Sequence, residues 1–247
     1  MIKLDRPPSP IELDEATVNA LTAEYIADND KRVWNQSYIK SALLIMSDNK
    51  CSYCECNIIE ESKYMEIDHF RSKKYHPDKV VVWENLLPSC KRCNIKKGKH
   101  NVDSDGMIVD PTIMSPKDHL YFQDCILHHK DDVGKATIEA CGLNQTDRLF
   151  SGRVQLFGAM HASIETAKGL LEDHLLGSDN NRKRNRAIST VSHVLMTCGP
   201  NKPYSAFLAT SVLRHPSYIW LREELNKLNS WDELVILEEA AKSVALP

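Results

Sequence analysis

Two Cys-x-x-Cys pairs constrain this chain more than any other feature: Cys51-x-x-Cys54 and, 35 residues further on, Cys90-x-x-Cys93. Two such pairs supply four thiolates, the donor set of a closed tetrahedral zinc site. A redox dithiol needs only one pair. The N-terminal stretch MIKLDRPPSP lacks the long apolar run of a signal peptide. No window approaches the roughly 18 apolar residues of a membrane span. The chain is therefore expected in the cytoplasm, where structural disulfides are rare and paired cysteines bind metal or carry redox chemistry. Cys56 is expected to be no ligand, and Cys125, Cys141 and Cys198 read as small buried hydrophobes.

The spacing between the pairs exceeds that of a simple zinc ribbon, so the interval must hold more than a turn. It holds Asp68-His69 at the end of a strand-like YMEID, a second β-like run VVVW, and Asn85 two residues beyond it; Asn94 follows the last cysteine directly. The interval is also basic. Residues 63–100 carry ten Lys and Arg against four acids, in a chain whose net charge is −3. No global field announces a nucleic-acid partner, but a local basic patch is the footprint of phosphate contact. A second cluster, NRKRNR at 181–186, reads equally as a nucleic-acid contact or as a solvated face.

Elsewhere the pattern is helical. A proline-rich arm opens the chain, followed by helices marked by Val18, Leu21 and Tyr25 and by Tyr38, Ala42, Leu43 and Met46. Between 119 and 141, HLYFQ, CILHH and ATIEA read as short strands, with DDVGK as a turn. Beyond GLNQTDR, residues Leu149, Leu156, Met160, Ile164, Ala167, Leu171 and Leu175 form one helical stripe, which Gly177 and SDNN end. Further helices are expected around 188–195, 204–213, 217–228 and 231–244, with Trp220 and Trp231 available to a partner. The fold expected is α+β, a small zinc-stapled core embedded in a mostly helical protein with a C-terminal helical bundle. The expected divisions are an N-terminal arm and helices (1–50), the cysteine-framed domain (51–105) and a partner-binding helical region (106–247).

Asp68-His69, Asn85-Leu86 and Cys90-x-x-Cys93-Asn94-x-x-Lys97-Gly98 together resemble the HNH endonuclease family in its zinc-carrying ββα-metal form. The resemblance implies a nuclease in which His69 is the general base, and Asp68 and Asn94 hold a catalytic divalent metal. It also implies that Asn85 pins the intervening loop and orients His69, while the four cysteines staple the fold. The chemistry agrees: imidazole takes a proton near neutral pH, carboxylate and amide oxygens suit Mg²⁺ or Mn²⁺, and thiolates suit Zn²⁺. Arg71, Lys73, Lys74, Lys91, Arg92, Lys96 and Lys97 are the candidate phosphate contacts.

The opening arm, VDPTIMSPKDHLYF and ATIEACGLNQTDRL followed by helices resemble the HNH component of Septu anti-phage systems, the PtuB family, some members of which accompany retrons. That resemblance implies a defence effector working with a PtuA-like ATPase of the ABC/SMC type, and in some settings with a retron reverse transcriptase and its nucleic acid. The alternative from another class is a zinc-stabilised nucleic-acid binding module without catalysis. Asp68, His69 and Asn94 discriminate, because a binder has no need of them.

Overall fold

The computed structural model describes residues 1–59, 65–177 and 181–247. Lys63 and Tyr64 of the basic interval, and most of the SDNN segment, lie outside the described residues. Packing divides the chain into two units: residues 1–120 with 128–143, and residues 121–127 with 144–247.

The first unit is built around a two-stranded antiparallel hairpin and one helix. Strand β1 (Met65–His69) pairs with β2 (Leu86–Cys90) in a register that sets Met65 opposite Cys90 and His69 opposite Leu86. Helix α3 (Lys91–Lys97) leaves β2 without a loop and packs on both strands. This is a ββα unit, as expected. The VVVW run is not a strand. Val80 and Val81 are completely buried side chains of an irregular segment, and a 3₁₀ turn at Trp83–Asn85 follows them. The residues that do pair come immediately after that turn. Pro88 is tolerated inside β2 because this sheet has only two strands, and its carbonyl accepts from Ser52 N–H at 2.9 Å.

Helices α1 (Glu15–Ala27) and α2 (Ser37–Met46) lie where the apolar spacing placed them. Asp14 caps α1 by accepting from Thr17 N–H at 2.8 Å. The proline-rich arm is pinned. Arg6 donates to the carbonyls of Trp83 (2.7 Å) and Leu86 (2.9 Å), and the Trp83 indole donates to Pro7 O at 2.9 Å.

A second hairpin, β3 (Leu120–Gln123) and β4 (Ile126–His129), occupies the two runs expected to be strands. ATIEA, by contrast, is helical. It lies in α5 (Asp132–Cys141), and DDVGK is that helix's start rather than a turn. Asp131 is the cap, accepting from Gly134 N–H at 2.8 Å. Gly134 is required there, since a Cβ would stand 2.2 Å from the His119 carbonyl oxygen. The Asp-rich start that reads as a turn also reads as a helix cap, and tertiary packing decides between them. A four-residue helix, α4 (Pro116–His119), precedes the hairpin.

The second unit is a helical bundle. A π turn at Thr146–Phe150 runs into α6 (Ser151–Leu175), which packs along α7 (Asn181–Thr197). Of the expected stripe, Met160, Ile164, Ala167 and Leu171 are buried, while Leu175 is exposed. Helix α8 (Ser205–Leu213) is buried on nearly every side and is the bundle's centre. Helices α9 (Pro216–Lys227) and α10 (Val235–Val244) complete it. Trp231 is core, 3% exposed and edge-on to Tyr218, so it offers nothing to a partner. Trp220 stays half-buried, under the Lys168 ammonium. Among the described residues no helix is long and apolar enough to cross a membrane.

Candidate active site and metal centre

The cysteine cluster assembles from two turns. Ahead of it, Asp48 and Asn49 both take left-handed backbone, and Glu55 does so just after Cys54 (φ 61°). These reversals fold residues 51–56 into a tight knuckle in which Cys51 N–H meets Cys56 O and Glu55 N–H meets Cys51 O, both at 2.9 Å. The second turn is the strand-to-helix junction, where the Cys90 sulfur caps α3 by accepting from Cys93 N–H at 3.4 Å. The Sγ atoms of Cys51, Cys54, Cys90 and Cys93 all lie within 4.8 Å of one another and are buried. A Zn–S bond of about 2.3 Å requires sulfurs about 3.8 Å apart in a tetrahedron, and Cys54 and Cys90 are 3.8 Å apart. Hydrogen bonds from the neighbouring thiols, that of Cys51 foremost, push the Cys90 thiol well below its ordinary value. The residues fit zinc. Cys56 stands beside the cluster without joining the four.

His69, the last residue of β1, is 6% exposed. Its Nε2 lies 2.8 Å from the Val80 carbonyl oxygen. A carbonyl can only accept, so Nε2 carries the hydrogen and Nδ1 holds the lone pair. Burial pushes the imidazole pKa down to about 4, with the Val80 contact acting in the opposite sense. The ring is therefore neutral at physiological pH and its basic nitrogen is defined. The Trp34 ring stands perpendicular to it, 4.9 Å between centres, and the Lys73 ammonium sits 4.8 Å from the Trp34 ring centre.

Asn85 sits across the hairpin and binds the loop between the strands by its amide. Its Oδ1 accepts from Arg71 N–H at 2.7 Å, and its Nδ2 donates to the carbonyls of Arg71 (3.1 Å) and Lys79 (3.0 Å). Lys79 precedes Val80, so the amide also fixes the carbonyl that orients His69.

Glu66 and Asp68 share one face of β1, since strand side chains alternate, and both meet α3. Asp68 is buried. One of its oxygens accepts from Tyr53 OH at 2.5 Å, and Lys97 Nζ lies 3.2 and 3.1 Å from the two oxygens. Lys97 also donates to the His69 carbonyl at 2.7 Å. It is 3% exposed, which removes it from the cations free to meet a phosphate. Asn94, one turn earlier on α3, donates from Nδ2 to Glu66 Oε2 at 2.6 Å. A carboxylate cannot donate, so this contact fixes the amide with Oδ1 turned away from Glu66. Gly98 ends the helix with φ 53°, its N–H bonded to Asn94 O at 2.8 Å, which accounts for the glycine after Lys97.

Of the other expected phosphate contacts, Lys74, Lys91, Arg92 and Lys96 are exposed. Arg71 is paired with Asp103, which His76 also approaches at 2.8 Å. The structure thus brings Asn94 to Glu66, Asp68 to Lys97, and His69 to Val80 and Trp34. Sequence reasoning missed Glu66, Tyr53 and Trp34. For Glu66 a signal existed, because Glu-x-Asp on a strand places both carboxylates on one face.

Residues 51–100 match the family model described as HNH endonuclease. Over 236 residues the chain is 41% identical to the Septu protein PtuB of Bacillus thuringiensis, covering 94% of this chain and 90% of that protein. It is 27% identical over 213 residues to the Septu protein PtuB of Bacillus mycoides strain KBAB4, covering 69% of this chain and 72% of that one.

Proposed function

The chain belongs to the PtuB family of HNH endonucleases, and from that membership we propose that it is the metal-dependent nuclease of a Septu anti-phage complex. It hydrolyses phosphodiester bonds of DNA or RNA, with a PtuA-like ATPase as partner. The observation that carries the catalytic reading is the His69 imidazole, neutral and held by Val80 so that Nδ1 keeps its lone pair.

His69 takes a proton from the attacking water through Nδ1. Burial and the perpendicular Trp34 ring keep the imidazole from turning, and Asn85 holds the loop that anchors it. A Mg²⁺ or Mn²⁺ ion, when bound, supplies positive charge at the phosphate and the leaving oxygen. Asp68 and Asn94 are the residues that would hold it. The donor chemistry fits: hard oxygen atoms lie on one face of β1 and on the facing side of α3. Asp68 already carries the Tyr53 hydroxyl and the Lys97 ammonium, and a divalent ion there would have to share the carboxylate with them. Glu66 is a positioning residue, turning the Asn94 oxygen outward. The four cysteines would hold Zn²⁺ at the junction from which α3, and with it Asn94, departs. Arg71, Lys73, Lys74, Lys91, Arg92 and Lys96 steer the nucleic-acid backbone.

The HNH elements occupy about 50 residues, so the helical region after residue 143 is free for another role. We assign it to docking on the ATPase, which restrains the nuclease until it is needed. Where a retron accompanies the complex, its reverse transcriptase and nucleic acid are a further partner. The test is a cleavage assay on plasmid, single-stranded DNA and total RNA, with Mg²⁺ or Mn²⁺, for the chain alone and with the ATPase. Cleavage that disappears on chelation supports the reading. Tight nucleic-acid binding with no cleavage under any of these conditions would point instead to a binding module. ATPase binding by a folded chain ending near Asn144, as tight as that of the full chain, would move the docking surface to residues 1–50.

A further inference from the structure

The helical unit holds a second cluster of metal-ligating side chains that the nuclease chemistry does not use. His161 and Glu165 stand one turn apart on α6 and are exposed, and the side chain of His215 caps the start of α9 and is 7% exposed. His161 Nδ1 lies 2.8 Å from His215 Nε2, and a Glu165 carboxylate oxygen joins them within 4.8 Å. Residues four apart on a helix share a face, so His-x-x-x-Glu delivers an imidazole and a carboxylate together. Each ligand is braced. The Phe157 ring lies parallel to His161, 6.1 Å away between centres and 6° from coplanar in tilt. Ser217 Oγ donates to Glu165 Oε1 at 2.5 Å, leaving Oε2 available. Oriented second-layer hydrogen bonds of this kind accompany metal-binding carboxylates.

We propose that His161, Glu165 and His215 form a transition-metal site, taking Zn²⁺ or a similar ion through two imidazole nitrogens and one carboxylate oxygen and fastening α6 to the head of α9. Two nitrogens and an oxygen with a fourth position open to solvent suit zinc. Without a metal, Ser217 N–H donates to His215 Nδ1 at 3.2 Å, so Nε2 carries the hydrogen and donates to His161. Binding exchanges that hydrogen for the cation. His215 moves its proton to Nδ1 and releases the Ser217 amide, the longest hydrogen bond in the group. Tetrahedral zinc sets its nitrogens about 3.3 Å apart. The exposed His161 ring therefore retreats by about half an ångström.

The full chain is dialysed against Zn²⁺ and its zinc measured by elemental analysis, beside His161→Ala. That residue is exposed, so the variant keeps its fold, which circular dichroism checks. The expected result is two zinc ions per wild-type chain and one in His161→Ala. Substitution with Co²⁺ separates the sites. The cysteine site gives intense thiolate charge-transfer bands in both proteins, and the histidine site adds weak d–d bands in the wild type alone. One zinc per wild-type chain overturns the proposal. So does a second zinc that His161→Ala retains, which would be an adventitious ion only. Glu165→Gln is expected to weaken the second ion about tenfold or more, and an unchanged affinity would remove the carboxylate from the site.

Discussion

The two units of this protein are specified in opposite ways. In the helical unit many apolar residues each contribute a little: Met160, Ile164, Ala167 and Leu171 of α6 are buried at helical spacing, and no single one decides the fold. In the ββα unit few residues each decide a great deal. Four cysteines, one histidine and one asparagine fix two turns, a ring and a loop. The unit around them also buries an apolar core that includes Ile39, Leu43, Leu86, Leu87 and Ile108, but the cysteine-framed segment itself rests on a cluster of metal-ligating side chains and a few satisfied polar groups. Substitutions are therefore expected to be all-or-none at the cysteines and graded in the helical unit.

The largest effect is expected from Cys90→Ser. Structural zinc contributes on the order of 10 kcal/mol or more of folding free energy in small zinc domains. Hydrogen exchange should show residues 65–100 opening while the helices of residues 151–244 keep their protection. Equal protection in both units would break the comparison. Next is His69→Ala, expected to lower cleavage by roughly 10²–10⁴-fold, the usual contribution of a general base. Leu171→Ala, at a fully buried position, should cost about 2–5 kcal/mol, measured by denaturant unfolding, and leave the cysteine-bound zinc in place. Asn85→Ala strips partners from the Arg71 amide and from the carbonyls of Arg71 and Lys79. It should cost about 1–3 kcal/mol and slow cleavage without loss of zinc. The smallest effect belongs to Glu66→Gln. An amide can donate as well as accept, so Asn94 is free to flip, and the Mg²⁺ concentration for half-maximal cleavage should rise a few-fold. A change in rate with no change in that concentration would detach Glu66 from the cation.

The same contrast explains what was legible in the sequence. The four-cysteine cluster and the helical tail could be read from spacing, whereas the ββα order came with the family resemblance and its second strand lies just beyond the run that looked like one. What escaped depended on contacts between distant residues. VVVW has the composition of a strand, yet Val80 and Val81 fill the core beside a turn that Asn85 dictates. DDVGK reads as a turn until Gly134 is seen against the His119 carbonyl. Lys97 looked like one more surface cation in a basic run, but α3 turns it inward onto Asp68. Trp231 followed the rule that tryptophans mark interfaces, and Tyr218 covers it. In the site itself, His69 and Asn85 stood out as residue types in a pattern. The Val80 carbonyl and the Trp34 ring carry no sequence signal, because backbone groups and loop aromatics acquire their roles only on folding.

In the proposed function His69 performs the chemistry and stands apart from the cysteine cluster. The most direct measurement is the single-turnover cleavage rate of wild type and His69→Ala, each assembled with the ATPase in Mg²⁺, with zinc content and thermal unfolding determined on the same preparations. The expected result is a rate at least 100-fold lower in the variant, with equal zinc and a single cooperative transition, lowered only by the loss of a buried ring and of the Val80 carbonyl's partner, about 1–3 kcal/mol. A variant that cuts as fast as the wild type would contradict it.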